Sequence, residues 1–251
     1  MAGEIIMKKN NKKLKNQLED FLRECKISKK KGRLLEIGFK NGYFLEEARK
    51  NGFDVYGTEV SKEYLKETKK RFPKINIVLE KNNRIPYEDN SMDFVVSFQV
   101  LEHVASLDDV LKEAYRVLRP GGLMYQVFPN YNSFYEGHYN VIWLPFLNKK
   151  LGRFYLKILG RYSKYYESLN IVKPKFIKKK LSKFNLEIVS LGKKEFINNF
   201  NINQIKKIQV KIVKKVCVFF IKIGFLRKFF LNIVVFSNLH YPIKIIAKKN
   251  N

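Results

Sequence analysis

The chain has 251 residues, and its 50 Lys and Arg against 23 Asp and Glu give a formal net charge of +27. That length suits one α/β domain with insertions and a sizeable core. Its 2 cysteines, Cys25 and Cys217, have no C-x-x-C spacing, so neither a disulfide framework nor a zinc site is indicated.

The charge is unevenly placed. Residues 1–33 hold 11 basic and 4 acidic side chains, residues 34–140 hold 14 and 16, and residues 141–251 hold 25 and 3. A neutral core beside so basic a C-terminal part implies an anionic partner: a membrane surface, a nucleic acid or an acidic substrate. The opening MAGEIIMKKNNKK lacks the apolar stretch of a signal peptide, so a cytoplasmic, reduced protein is expected.

Residues 1–32 are polar and basic, with Leu14, Leu18, Phe21 and Leu22 at helical spacing. They read as an amphipathic extension that covers the sheet. Arg33–Gly42, RLLEIGFKNG, follows as a short apolar strand and a glycine turn. The helix pattern of YFLEEARK comes next, with Phe44, Leu45 and Ala48 on one side. Strand, glycine turn and helix bring backbone close to a nucleotide-like ligand at a helix N-terminus. A dinucleotide fingerprint needs G-x-G-x-x-G, whereas this turn has Gly38 and Gly42 with Lys40 between them and Glu36 before them. A carboxylate there repels a pyrophosphate and pairs with an ammonium. DVYGTEVS, Asp54–Ser61, is a second strand that ends at Glu59, 21 residues after Gly38. An acidic group at that distance accepts hydrogen bonds from ribose hydroxyls.

These residues resemble motif I of the class I S-adenosylmethionine-dependent methyltransferases, usually E/D-x-G-x-G-x-G, with Lys40 in place of the middle glycine. The resemblance implies S-adenosylmethionine as cofactor, held by Glu36, Gly38, Lys40, Gly42, Glu59 and Val60.

Further along, EYLKETKKRF reads as a helix ended by Pro73, INIVLE as a strand, and Phe94–Val100 as a buried strand. Ile85-Pro86-Tyr87, Asp89, Met92-Asp93 and Val100-Leu101-Glu102-His103 resemble successive motifs of the type 11 methyltransferase family. By that resemblance Asn82 meets the adenine, and Ser97 to Gln99 lie beside the methionine moiety. Asp93 reads as ordering the turn before its strand. LDDVLKEAYRVLRPGGLMYQVF gives a helix stopped by Pro120-Gly121-Gly122 and a strand at Leu123–Phe128, again as in that family. The resemblance covers Arg33–Asn130.

Residues 131–175 are aromatic-rich without clean periodicity and fall where such enzymes insert substrate-binding elements. KPKFIKKKLSKFN then reads as a helix, LEIVSLGKKEF as a strand, and Tyr241–Lys249 as a closing strand. Between them, residues 203–236 are basic and apolar. Ile205, Ile208, Ile212, Val216, Phe219 and Ile223 step along one helical side, with lysines on the other. The segment is too interrupted by charge to span a bilayer. It reads either as an interfacial membrane helix or as a core-facing helix with solvated lysines.

The family resemblance implies a doubly wound, seven-stranded, mostly parallel Rossmann-like sheet over residues 33–251, whose last strand is antiparallel. Of the 3 histidines, His103 and His138 are candidate bases for a hydroxyl acceptor, since imidazole titrates near neutral pH. Glu136-Gly137-His138-Tyr139 beside Trp143 reads as an acceptor pocket. No metal-ligand spacing is apparent. The expected reaction is methyl transfer to a small or lipid-linked acceptor, glycan or quinone-like, with the basic helix on an anionic membrane. The alternatives are an RNA methyltransferase using the basic half as a backbone track, and a cofactor-binding module without turnover.

Overall fold

The computed structural model describes residues 16–29, 31–81, 84–200 and 211–251. The expected positions of Leu14, Asn82, Ile205 and Ile208 lie outside the described residues. Residues 16–24 form α1. Then follow β1 (Arg33–Ile37), α2 (Tyr43–Lys50), β2 (Asp54–Glu59), α3 (Lys62–Arg71), β3 (Asn76–Leu79), β4 (Met92–Phe98), α4 (Leu107–Val117) and β5 (Leu118–Phe128). After β5 come β6 (Tyr135–Glu136), β7 (Val141–Ile142), α5 (Lys149–Ile158), α6 (Tyr165–Ser168) and α7 (Pro174–Leu181). The chain closes with β8 (Leu186–Ser190), α8 (Lys193–Asn199), α9 (Lys211–Lys222), α10 (Gly224–Phe236) and β9 (Ile243–Lys249).

Seven strands make one sheet in the order β3-β2-β1-β4-β5-β9-β8. β9 is antiparallel to both its neighbours, and the pairs from β3 to β5 are parallel. The strand order reverses direction at β1 and β4, the place where open α/β sheets bind ligands beyond their carboxyl ends.

Because strand side chains alternate, the central strands are apolar on both faces. Leu35, Ile37, Val95 and Met124 face α4 and α7 through Leu111, Ala114, Ile177 and Leu181. Leu34, Val96, Tyr125 and Ile246 face Phe44, Leu45 and Ala48 of α2 and Phe21 of α1. Phe21 packs on Phe94 and Tyr125 with ring centroids 5.6 and 5.5 Å apart. Buried Glu24 accepts from Tyr125 Oη at 3.1 Å and from Lys244 Nζ at 2.5 Å. α1 therefore lies against β4, β5 and β9.

Asp93 does not tie the turn before its strand as expected: it accepts from the Arg33 amide at 2.6 Å and pairs with Arg119 at 2.6 Å, so it links β4 to the starts of its neighbours β1 and β5. Arg116 binds the carbonyls of Ile85 and Tyr87 at 2.7 and 2.9 Å, which fixes the Ile85-Pro86-Tyr87 turn.

Three further readings are corrected. β5 starts at Leu118, so Pro120-Gly121-Gly122 lie inside the strand, where the register to β4 shifts; Leu118 already has extended backbone, which ends α4 before the proline. The strand read into LEIVSLGKKEF stops at Ser190, because Gly192 turns at φ 73° and opens helix α8. The basic segment is two helices within its described part, broken at Ile223, whose backbone is extended.

Candidate functional site

Beyond β1 the chain makes a tight loop whose shape needs left-handed backbone at Gly38 (φ 70°), Lys40 (φ 50°) and Gly42 (φ 68°). Lys40 takes that conformation despite its Cβ because both its peptide groups are tied. Its amide donates to Glu59 Oε2 at 2.9 Å, and its carbonyl accepts from Thr68 Oγ1 at 3.1 Å. The two glycines are required by space as well as by φ. A Cβ on Gly42 would strike the Thr68 methyl, and one on Gly38 would lie 2.7 Å from Val100 Cγ2. The second contact shows that the segment after β4 lies directly over the loop after β1.

Glu59 ends β2 and is buried. Besides the Lys40 amide it accepts from the amides of Val60 at 2.9 Å and Ser61 at 3.2 Å. Two of these bonds fall on Oε1 and one on Oε2, so a carboxylate with about four acceptor sites keeps one for a ribose hydroxyl. Val60 itself is 73% exposed. Glu36 is buried, and its Oε2 has no hydrogen-bond partner. Burial, then the nearby Glu59 charge, pushes its carboxyl well above the usual range, against a smaller pull from Lys40. A buried carboxyl with one oxygen unpartnered beside a glycine loop suits an ammonium and repels a phosphate. The residues present thus fit S-adenosylmethionine. Glu36 would meet its ammonium, Glu59 its ribose, and the Gly38–Gly42 backbone would cradle it.

Two expected contacts sit differently. Ser97 is fully buried and gives its hydroxyl to Gln126 of β5, so that side chain is committed within the sheet. Gln99 takes a left-handed turn (φ 58°), with its amide on the Val127 carbonyl at 2.7 Å.

This turn carries Leu101–Val104 across the pocket mouth. Asn170, beyond α6, holds the segment in place. Its amide donates to the Glu102 carbonyl at 2.8 Å, and its Nδ2 donates to the carbonyls of Leu101 and Val104 at 3.2 and 2.8 Å. Residues 131–169 form their own small core around Tyr131, Trp143, Leu156 and Tyr166. From that core the β6–β7 hairpin projects His138 over the segment.

His103 and His138, 35 residues apart in the chain, have ring centroids 5.4 Å apart at right angles. His138 Nδ1 donates to Glu136 Oε1 at 2.7 Å, and Glu136 Oε2 accepts the Tyr139 amide at 2.7 Å. His103 Nδ1 is 3.4 Å from Tyr165 Oη. Glu102, fully buried, has no hydrogen-bond partner on either oxygen; His103 Nε2 approaches to 3.7 Å, too long for one. Burial raises the Glu102 carboxyl to about 7. Burial, then the neighbouring His138, lowers His103, while the bond to Glu136 raises His138. The charge of Lys40 bears on Glu102, His103 and His138 as well as on Glu36. Lys40 is therefore near both the cofactor loop's acidic group and the histidine cluster. The sequence singled out both histidines but gave Glu102, Tyr165 and Asn170 no role; a glutamate inside an apolar Val-Leu-Glu-His run was the available signal for Glu102.

Comparison with known proteins agrees with this geometry. A family model described as a methyltransferase domain matches residues 35–126, and that part of the chain is similar to S-adenosylmethionine-dependent methyltransferases. A probable S-adenosylmethionine-dependent methyltransferase of Mycolicibacterium smegmatis is 32% identical over 41% of this chain and 40% of its own length. The chain thus spans less than half the length of the curated relatives it matches. The structure of Haemonchus contortus phosphoethanolamine N-methyltransferase 2 with S-adenosyl-L-methionine superposes at a TM-score of 0.58 and 18% identity, over 94% of this chain and 53% of that one. An S-adenosylmethionine-dependent methyltransferase from Mesorhizobium loti gives 0.56 and 13%, over 87% and 91%. These likenesses establish the fold.

Proposed function

We propose that the whole protein is an S-adenosylmethionine-dependent methyltransferase that acts on a hydroxyl of a small or lipid-linked acceptor. The observation that carries this reading is the Glu102, His103 and His138 cluster, at the segment whose Val100 lies over Gly38 of the cofactor loop. When bound, S-adenosylmethionine supplies a methyl group made electrophilic by its sulfonium. Glu36, Glu59 and the loop backbone would position that group. An acceptor hydroxyl must shed its proton as its oxygen takes the methyl, and a poor nucleophile needs a group that favours the oxyanion. Nε2 of His138 is the atom placed for that work, since the Glu136 carboxylate can only accept and keeps the proton on Nδ1.

The acceptor's lipid character rests on the C-terminal helices. α9 and α10 bury Cys217, Leu231 and Phe200 between them and α8. Val216, Phe219, Phe229, Ile233 and Phe236 remain 45–87% exposed beside lysines that face water. No helix among the described residues is long and apolar enough to cross a membrane. An apolar, lysine-flanked face of this kind lies in an anionic interface.

The test is transfer of isotopic methyl from S-adenosylmethionine to hydroxyl-bearing lipid-linked glycans, quinone precursors, amines and RNA, with the product atom assigned by mass spectrometry. Oxygen methylation that His138→Ala abolishes is expected; label on nitrogen or on RNA would overturn the reading. In flotation with anionic vesicles, wild type should rise with the lipid and a Phe219→Asp, Phe236→Asp double variant should not.

A further inference from the structure

The lone pair on His138 Nε2 has two candidate occupants, a proton or a metal ion. We infer that Glu102, His103 and His138 bind a divalent first-row transition ion of the zinc and cobalt kind. The inference rests on the hydroxyl-directed reading for its use, although ion binding can be measured without it.

Each of the three residues offers one ligand atom, and these atoms all lie within 4.8 Å of one another. Around an ion with bonds of about 2.1 Å, tetrahedral ligand atoms stand roughly 3.4 Å apart. The present spacing closes to that by small side-chain rotations. Compact spacing alone would mean little, and a second observation bears on it independently. Glu102 is fully buried and neither of its oxygens has a hydrogen-bond partner. A buried carboxylate without a partner is costly and calls for a cation.

The outer bonds fit the same role. A ligating histidine ordinarily gives its other N–H to a carboxylate or similar acceptor, which sets the tautomer and aims the ring. His138 does this through Nδ1 to Glu136 at 2.7 Å. His103 has Tyr165 Oη 3.4 Å from its Nδ1, which leaves Nε2 on the Glu102 side at 3.7 Å. In the loaded site His103 Nδ1–H donates to the phenol oxygen.

Two imidazoles and one carboxylate suit zinc or cobalt better than magnesium, which takes all-oxygen sets. Three protein ligands leave a position open, as catalytic rather than structural sites do. With an ion bound, His138 Nε2 would be a ligand and no longer a base: an acceptor hydroxyl at the open position would release its proton to solvent, and the ion would stabilise the oxygen that forms the new O–CH3 bond. Spacing gives no sign of this cluster because one candidate ligand pair is adjacent in sequence and the third comes from the insertion.

The full-length chain, stripped with a chelator, would be titrated with Co2+ by visible absorption and with Zn2+ and Mg2+ by calorimetry. Wild type should bind one equivalent of Co2+ or Zn2+ with a ligand-field spectrum of mixed nitrogen and oxygen donors. Glu102→Gln and His138→Ala should each weaken binding beyond tenfold, and Glu136→Gln by roughly tenfold through ring orientation. Circular dichroism and S-adenosylhomocysteine binding check that the variants fold. Stoichiometric ion binding by wild type that the variants retain unchanged would overturn the inference, as would binding of Mg2+ alone. S-adenosylhomocysteine binding without ion binding overturns the metal site only. Ion binding without S-adenosylhomocysteine binding supports the metal site and sinks the cofactor reading instead.

Discussion

The pocket has two walls built on different principles. The wall after β1 and β2 is local: Glu36, Gly38, Lys40 and Gly42 fall within seven residues, and Glu59 joins them through the Lys40 amide while the Val60 and Ser61 amides hold its other oxygen. The wall after β4 is assembled from distant pieces. Glu102 and His103 come from the strand's end, His138 from a hairpin with its own small core, and Asn170 from beyond α6. A local wall keeps its geometry through backbone hydrogen bonds, so its residue types are dictated by conformation. The assembled wall keeps its geometry through tertiary contacts, so the same chemistry tolerates many sequences. That contrast separates cofactor binding from acceptor choice, and substitutions can pull the two apart.

The largest effect is expected where the walls touch. Gly38 has positive φ, and an added Cβ would sit 2.7 Å from Val100 Cγ2. Gly38→Ala therefore combines backbone strain with a displaced Gln99–His103 segment, at a cost of about 1–3 kcal/mol. Both cofactor affinity and acceptor turnover should fall more than tenfold together, by calorimetry and methyl-transfer assay. Loss of only one would show the walls to be independent there.

Glu59→Ala addresses the local wall alone. It strips three backbone amides of their acceptor and removes the ribose partner, so S-adenosylhomocysteine affinity should drop at least tenfold, with about 1–3 kcal/mol of stability lost in a thermal melt. Unchanged affinity would remove Glu59 from the site.

Glu36 gives a pH signature. Its folded-state carboxyl titrates well above the ordinary 4.5 because it is buried and faces Glu59. In the empty protein its contribution to stability is thus fully present below about 4.5 and is lost as pH rises through the raised value. A cation binding beside it prefers the carboxylate, so S-adenosylmethionine affinity should rise with pH over the same window. Glu36→Gln should flatten that rise and raise the melting temperature of the ligand-free chain at pH 8. A steep rise retained in Glu36→Gln would assign it to another group.

The same contrast decides what could be read before folding. The strand order and the antiparallel last strand come from the family resemblance, whereas the strands and helices themselves follow from periodicity and from glycine and proline positions, which act within a few residues. So does most of the cofactor loop. Lys40 at a left-handed position was legible as a departure from the glycine pattern, but not as a solution, since its anchors Glu59 and Thr68 lie 19 and 28 residues away. Ser97 was assigned by its place at a strand end; alternation across the sheet gives its side chain to Gln126 instead. Nothing in the spacing of Glu102, His103 and His138 announces that they meet, because the distance between them is set by the core of residues 131–169.

The smallest effect is the cleanest test of the assembled wall. Asn170 touches neither the loop after β1 nor Glu59; its bonds go to the carbonyls of Leu101, Glu102 and Val104. Asn170→Ala removes the two side-chain bonds and keeps the amide bond to Glu102, so the segment loosens without collapsing, at a cost of about 1–2 kcal/mol. A residue that acts by positioning should leave S-adenosylhomocysteine affinity within about twofold of wild type while methyl transfer slows several-fold. Asn170→Asp should rescue little, because a carboxylate cannot donate to carbonyls. If cofactor affinity falls in step with turnover, Asn170 supports the whole pocket mouth and the two walls are one mechanical unit. If neither changes, the insertion's own core holds Glu102 and His103 in place, and the hydrogen bonds merely satisfy buried carbonyls.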